Sequence, residues 1–76
     1  MTMEVIAAIG KNMKQIRMSR KYSIRMLADF SGISKNQILK IEHGDADPRI
    51  STLLRLAEAL QIDLLDLFEK KGDIRE

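Results

Sequence analysis

Residues 31–44 read SGISKNQILKIEHG, and they are the most informative segment of the sequence. Ser34 is a good helix N-cap and Gly44 is a natural helix stop, so the stretch predicts a helix of barely three turns. Ile38 and Ile41 form its apolar side. The other sides carry amides and lysines, namely Lys35, Asn36, Gln37 and Lys40. The sequence therefore predicts a short helix whose outer face is polar and basic.

A second short helix is predicted directly before this one. Ser23 is its N-cap, and Gly32 ends it because Gly adopts a left-handed conformation without a steric penalty. Only Gly32, Ile33 and Ser34 separate the two helices, so they must cross sharply. Ala28 supplies the small residue that such a crossing needs. The two helices thus form a tight angular pair.

The remaining apolar spacing predicts three further helices. The first runs from about Glu4 to Arg20, the fourth spans roughly 50–60, and the last spans about 63–70. On the fourth helix, the apolar stripe is read as Ile50, Leu53, Leu54, Ala57 and Leu60. We therefore expect an all-α, compact five-helix bundle that forms a single domain over residues 1–76. Its core is expected at about 5–69, followed by a frayed tail at 70–76.

The composition excludes several classes of protein and site. The 76 residues contain no Cys and one His, so we expect no disulfide, no metal site and no cofactor. No nucleophile is paired with a base, and no phosphate-binding Gly loop or carboxylate dyad is visible, so we expect no catalytic residue and no enzyme. No apolar run approaches the ~18–20 residues that span a bilayer. A cytoplasmic location without membrane contact is therefore expected.

Charge is distributed unevenly along the chain. Residues 1–44 hold eight Lys and Arg against three Asp and Glu, a net charge of +5. Residues 45–76 hold five against eight, a net charge of −3. The first half is thus suited to a polyanion, although solvated surface charge would give the same count.

The angular helix pair resembles the helix-turn-helix of the phage-repressor and Cro-like family of bacterial DNA-binding proteins. The matching residues are Leu27-Ala28, Ser31-Gly32-Ile33-Ser34, Ile38, Ile41-Glu42, Gly44 and Pro48. The resemblance extends from about Ile9 to Phe68 and includes LLRLAEALQIDLLDLF at residues 53–68. It implies a lambda-repressor-like DNA-binding domain.

The resemblance implies that the second helix of the pair lies in the major groove of double-stranded DNA. The base-reading residues are then Lys35, Asn36, Gln37 and Lys40. Their chemistry fits, since amides pair with adenine and lysine reaches guanine O6 and N7. The candidates for contact with the DNA backbone are Ser23, Arg25, Ser34 and His43. Without the turn motif, the same helix face would be read as ordinary solvated surface, and His43 is also explained as a solvated residue near a helix C-terminus.

Arg17 and Glu42 match a family ion pair that ties the first helix to the end of the third. The alternative is that Arg17 binds phosphate.

Several residues depart from the family pattern. Ile24 stands where many relatives have a Gln that helps to anchor the protein on the DNA backbone. Lys21 stands where Gly often ends the first helix, which predicts either a strained turn or a longer helix. Asp45 and Asp47 occupy a loop that often carries basic residues, and they predict modest, strongly salt-dependent affinity for DNA.

A homodimer is expected, because one three-turn helix reads too few base pairs for useful specificity. The last two predicted helices carry more apolar residues than one face should bury. We assign Leu56, Leu65 and Phe68 to a homodimer interface, although all three would also fit within a single core. The predicted function is repression or autoregulation at an inverted-repeat operator. The alternative is an antitoxin or anti-regulator that acts mainly on a protein partner.

Overall fold

The computed structural model describes residues 1–69 and contains four α-helices over that range. They are α1 (Met3–Ser19), α2 (Ile24–Ser31), α3 (Lys35–Glu42) and α4 (Ile50–Leu60). A single 3-10 turn follows at Leu64–Leu67. The described residues contain no β-strand. The all-helical class is therefore as predicted.

The first three helices begin at side-chain caps. The hydroxyl oxygens of Thr2, Ser23 and Ser34 each accept a hydrogen bond from the backbone N–H three residues later, at 3.0 to 3.2 Å. These bonds satisfy N–H groups that the first helical turn leaves without an internal partner. Ser23 and Ser34 thus start the two helices of the angular pair, as the sequence predicts.

The predicted fifth helix at 63–70 is wrong. In its place, Leu64–Leu67 form one 3-10 turn that begins at Asp63 and is closed by a capping box between Asp63 and Asp66. A 3-10 helix has three residues per turn, so Leu64 and Leu67 share its inward side. This spacing lets a short segment bury Leu67 and partly bury Leu64 without completing an α-helical turn. Residues 70–76, predicted as a frayed tail, lie outside the described residues.

The core lies where the four α-helices and the 3-10 turn meet. Its fully or nearly fully buried apolar side chains are Ile9, Met13, Ile16, Leu27, Ile33, Ile38, Ile41, Leu53, Leu56, Ala57, Leu60 and Leu67. The predicted stripe on α4 is shifted around the helix: Ile50 and Leu54 are exposed, whereas Leu56 is buried. Apolar residues cover so much of α4 that their spacing alone did not identify the inward side.

Candidate nucleic-acid interface

The turn between α2 and α3 fixes the angle at which α3 leaves the fold. Gly32 has φ +76°, a left-handed conformation that side chains with a β-carbon rarely adopt. Ile33 is buried beside it, and its N–H donates to the Ser31 hydroxyl at 3.1 Å. The turn is thus held by one glycine, one buried apolar side chain and one buried hydrogen bond.

α3 presents one buried and one exposed side. Ile38 and Ile41 are buried in the core. All four residues assigned to base reading are exposed, and the structure places them together on this eight-residue helix: Lys35, Asn36, Gln37 and Lys40. No acidic residue lies in the first turn of α3. The outer face of α3 therefore presents amides and ammonium groups to an approaching ligand.

The four candidates for contact with the DNA backbone come before and after these residues in the sequence, and all four are exposed. Ser23 and Ser34 use their hydroxyl oxygens as acceptors at the helix starts, which leaves each hydroxyl hydrogen able to donate to a phosphate. Arg25 lies in the first turn of α2. His43 is the C-cap of α3, and its backbone N–H donates to the Leu39 carbonyl at 3.0 Å.

Arg17 anchors both ends of the helix pair from α1. Its Nε and Nη2 donate to the two carboxylate oxygens of Glu42 at 2.7 and 3.1 Å. Its Nη1 donates to the Tyr22 carbonyl, just before α2, at 2.9 Å. The side chain of Arg17 is only 11% exposed and that of Glu42 only 3%. One guanidinium thereby fixes the end of α3 relative to the start of α2, and it has little surface left for an external phosphate.

Gly10 marks a close approach between α1 and α3. A β-carbon at this position would lie 2.9 Å from the Glu42 carbonyl oxygen and closer still to that of Ile41. Both distances are below those that real β-carbons show, so only glycine fits here. No motif in the sequence predicts this role for Gly10. Its signal was an isolated glycine inside a helical pattern, which often has a packing reason.

Asn12 was also missed. It is buried, and its Nδ2 donates to the Leu67 carbonyl at 2.9 Å and to the Glu69 carbonyl. The bond to Leu67 joins residues 55 positions apart. An amide next to the apolar stripe of Ile9 and Met13 was the only signal, and it did not identify the partner.

The angular helix pair is shared with known proteins. A family model described as helix-turn-helix matches residues 13–67. This chain belongs to the helix-turn-helix family. It shares 37% identity over 70 residues with the transcriptional repressor RghR of Bacillus subtilis, covering 91% of this chain and 52% of RghR. It shares 36% identity over 62 residues with the transcriptional regulator SlrR of the same organism, covering 80% of this chain and 41% of SlrR.

The chain spans about half the length of RghR and less of SlrR. The resemblance to the phage-repressor and Cro-like family is confirmed by the match. The family is one of transcriptional regulators and not of enzymes, as the sequence predicts.

Two solved structures superpose on most of the chain. The restriction-modification controller protein C.AhdI of Aeromonas hydrophila has a TM-score of 0.81 at 27% identity, covering 83% of this chain and 96% of its own. A regulator of the same family from Vibrio cholerae has a TM-score of 0.84 at 30% identity, covering 87% of this chain and 37% of its own.

The three residues assigned to a homodimer interface lie in different environments. Leu56 is 0% exposed within the chain's own core, so its assignment to an interface is wrong. Leu65 is 71% exposed, and Phe68 is partly buried beside α1. Because Leu64 and Leu67 occupy the inward side of the 3-10 turn, Leu65 remains outside. Only Leu65 and Phe68 remain available for such an interface.

Two further classes of site have no support within residues 1–69. In this range no three His, Asp or Glu residues are grouped so that they would hold a metal ion. Over the same residues, no helix combines the length and apolar character needed to cross a membrane.

Proposed function

We propose that the chain is a sequence-specific DNA-binding transcriptional regulator that acts in the cytoplasm. The observation that carries this proposal is the exposed face of α3, whose opposite side is locked into the core by Ile38 and Ile41. A short rigid helix of this kind fits the major groove of B-DNA, which is about 12 Å wide. Membership in the helix-turn-helix family supports the same function.

Each side chain on this face has a distinct role in the proposed complex. Asn36 and Gln37 pair with adenine edges, and Lys35 and Lys40 reach guanine O6 and N7. The hydroxyls of Ser23 and Ser34, with Arg25 and His43, contact phosphates and set the register of α3 on the duplex. Each bidentate base contact then contributes about 1–3 kcal/mol of discrimination between bases.

The proposed regulator is a homodimer that represses transcription or controls its own expression at an inverted repeat. Two copies related by a two-fold axis place two α3 helices about one helical turn of DNA apart. RghR, 37% identical, carries the name of a repressor, and C.AhdI is a controller protein that this chain covers almost completely. The name of the first supports repression, and the description of the second supports the role of a small controller protein.

The test is selection of bound sites from a random duplex library with the purified protein. The expected result is an inverted repeat with half-sites about one helical turn apart. The variant Asn36→Ala/Lys40→Ala should lose the enriched sequence. The matched control Gln15→Ala/Glu58→Ala changes two exposed residues outside the helix pair and should retain it.

A second candidate function is an interaction module of the antitoxin or anti-regulator class. The exposed apolar side chains Phe30 and Leu65 favour it, since large apolar groups on a surface often mark protein contacts. No enriched site at low salt, together with a 1:1 hetero-complex in a pull-down, would overturn DNA binding in favour of this second function.

A further inference from the structure

An open apolar groove of about 530 Å³ lies between the N-terminal half of α1 and the end of the 3-10 turn. It is lined by Glu4, Val5, Ala8 and Phe68. Three of these residues are apolar, and the fourth places one carboxylate at the groove. Such a groove suits an apolar side chain that has a charged residue beside it to face the carboxylate.

The 3-10 turn presents such a side chain next to the groove. With three residues per turn, Leu65 and Phe68 lie on the same side of the segment. Their backbones are joined by a hydrogen bond from the Phe68 N–H to the Leu65 carbonyl at 3.0 Å. Phe68 lines the groove, whereas Leu65 is 71% exposed. One surface of the molecule thus carries both a protruding leucine and an apolar groove.

This surface lies on the flank of α1 remote from α3. Gly10 and Arg17 face α3, as their contacts with Ile41 and Glu42 show. Glu4 and Ala8 line the groove on the other flank. An occupant of the groove therefore leaves the exposed face of α3 free.

Charge on the same flank favours a second copy as the occupant. Glu4, Ala8 and Lys11 follow one another at i, i+4 and i+7, so they form one exposed or half-exposed stripe along α1. The stripe carries opposite charges on either side of Ala8. A two-fold axis that passes near Ala8 brings Glu4 of each copy toward Lys11 of the second copy. The stripe is therefore complementary to itself.

The geometry points to an isologous homodimer in which Leu65 of each copy occupies the groove of the other. Glu4 then pairs with Lys11 across the interface. A two-fold arrangement uses the same surface twice, so it requires a protrusion and a groove on one face, and this face has both. The inference rests on the homodimer of the proposed function, and it names the residues that hold the two copies together.

The protrusion and the groove are tested separately by sedimentation velocity over a range of protein concentrations, without DNA. Leu65→Lys and Ala8→Glu should each shift the dimer to monomer, with at least a tenfold weaker association. Ala7→Glu introduces the same change at the neighbouring exposed position outside the groove, and it should leave the dimer intact. Circular dichroism of each variant checks that the monomer is folded.

The charge pair is tested by exchange. E4K and K11E should each weaken self-association, because each puts like charges opposite each other. An equimolar mixture of E4K and K11E should form a heterodimer, since a stripe with two lysines then meets a stripe with two glutamates. This rescue in trans would not occur if the substitutions acted only by destabilising the fold.

Each contrary outcome has a distinct meaning. A wild-type protein that stays monomeric at all concentrations overturns both this inference and the proposed homodimer. A dimer that survives Leu65→Lys and Ala8→Glu overturns this interface but leaves the proposed homodimer standing. A monomeric variant that still enriches the same half-site from the duplex library leaves the DNA-binding proposal intact.

Discussion

The backbone of Gly10 in α1 lies directly against the carbonyl group of Ile41 near the end of α3. No side chain separates the two helices at this point. The position of α3 relative to the core therefore depends on the absence of a single β-carbon. Substitution at Gly10 should affect stability and the setting of α3 together.

Gly10→Ala should destabilise the domain by about 1–3 kcal/mol, because overpacking forces backbone shifts. Helix propensity alone predicts the opposite, a gain of about 0.8–1.0 kcal/mol for Ala over Gly. Urea denaturation distinguishes the two. Gln15→Ala, at an exposed site on the same helix, serves as the control and should change stability by less than about 0.5 kcal/mol. A more stable Gly10→Ala variant would show that α1 and α3 can separate at no cost.

Arg17→Met should cost about 3–5 kcal/mol, since it leaves the buried Glu42 carboxylate without its cation. Thermal unfolding measures the loss. The double variant Arg17→Met/Glu42→Leu should recover much of it, because replacing a whole buried ion pair by apolar groups is often neutral. If Arg17→Met kept its melting temperature but lost DNA affinity, Arg17 would have to be reassigned as a phosphate ligand.

Lys21 and Gln61 have φ of 60° and 61°, respectively, at the ends of α1 and α4. Of the two possibilities left open for Lys21, the strained turn is correct. A left-handed backbone conformation costs an L-residue about 1–2 kcal/mol, and substitution by Gly removes this cost. Gly also increases the conformational entropy of the unfolded chain, which cancels part of the gain in stability. Lys21→Gly and Gln61→Gly should therefore each stabilise the domain, by about 0.5–1 kcal/mol net. Met18→Gly, at an exposed helical position, is the control and should destabilise by about 1 kcal/mol. Equal losses in all three variants would show that Lys21 and Gln61 carry no strain.

Arg25 and Asn36 should differ in how they affect DNA binding. Arg25→Ala should weaken binding to all duplexes alike and reduce the slope of log affinity against log salt by about 1, as loss of a phosphate contact does. Asn36→Ala should cost about 1–3 kcal/mol on the selected site and much less on random DNA. Fluorescence anisotropy at several salt concentrations measures both. A uniform loss for Asn36→Ala would place that side chain on the backbone instead of a base.

The features that local chemistry determines were predictable. Ser23 and Ser34 form caps, and Gly32 and Gly44 adopt left-handed conformations, because these roles depend on neighbours only a few residues away. The inward side of α4 was not predictable in the same way. Leucines cover both flanks of that helix, and only contacts with other helices decide that Leu56 is buried and Leu54 is exposed.

The missed residues of the site have the same explanation. Gly10 packs against a backbone carbonyl of α3, and Asn12 donates a hydrogen bond to a carbonyl of the 3-10 turn. Both partners are distant in sequence. Their residue types give no indication of those partners. The predicted α-helix at 63–70 was wrong because the spacing of Leu64, Leu65 and Phe68 suits an α-helical turn as well as a 3-10 turn. The capping box between Asp63 and Asp66 is compatible with either kind of turn, so it could not distinguish them.

The bond between Asn12 and the Leu67 carbonyl has a kinetic consequence. It closes a loop of 55 positions, whereas the α2–α3 pair forms from contacts between near neighbours. Closing long loops costs more entropy than closing short ones, so this bond should form late in folding. Asn12→Asp, which removes the donor and adds a charge, should then accelerate unfolding while the folding rate stays nearly unchanged. The lifetime of the native state would thus depend in part on one amide that holds α1 to the last described segment.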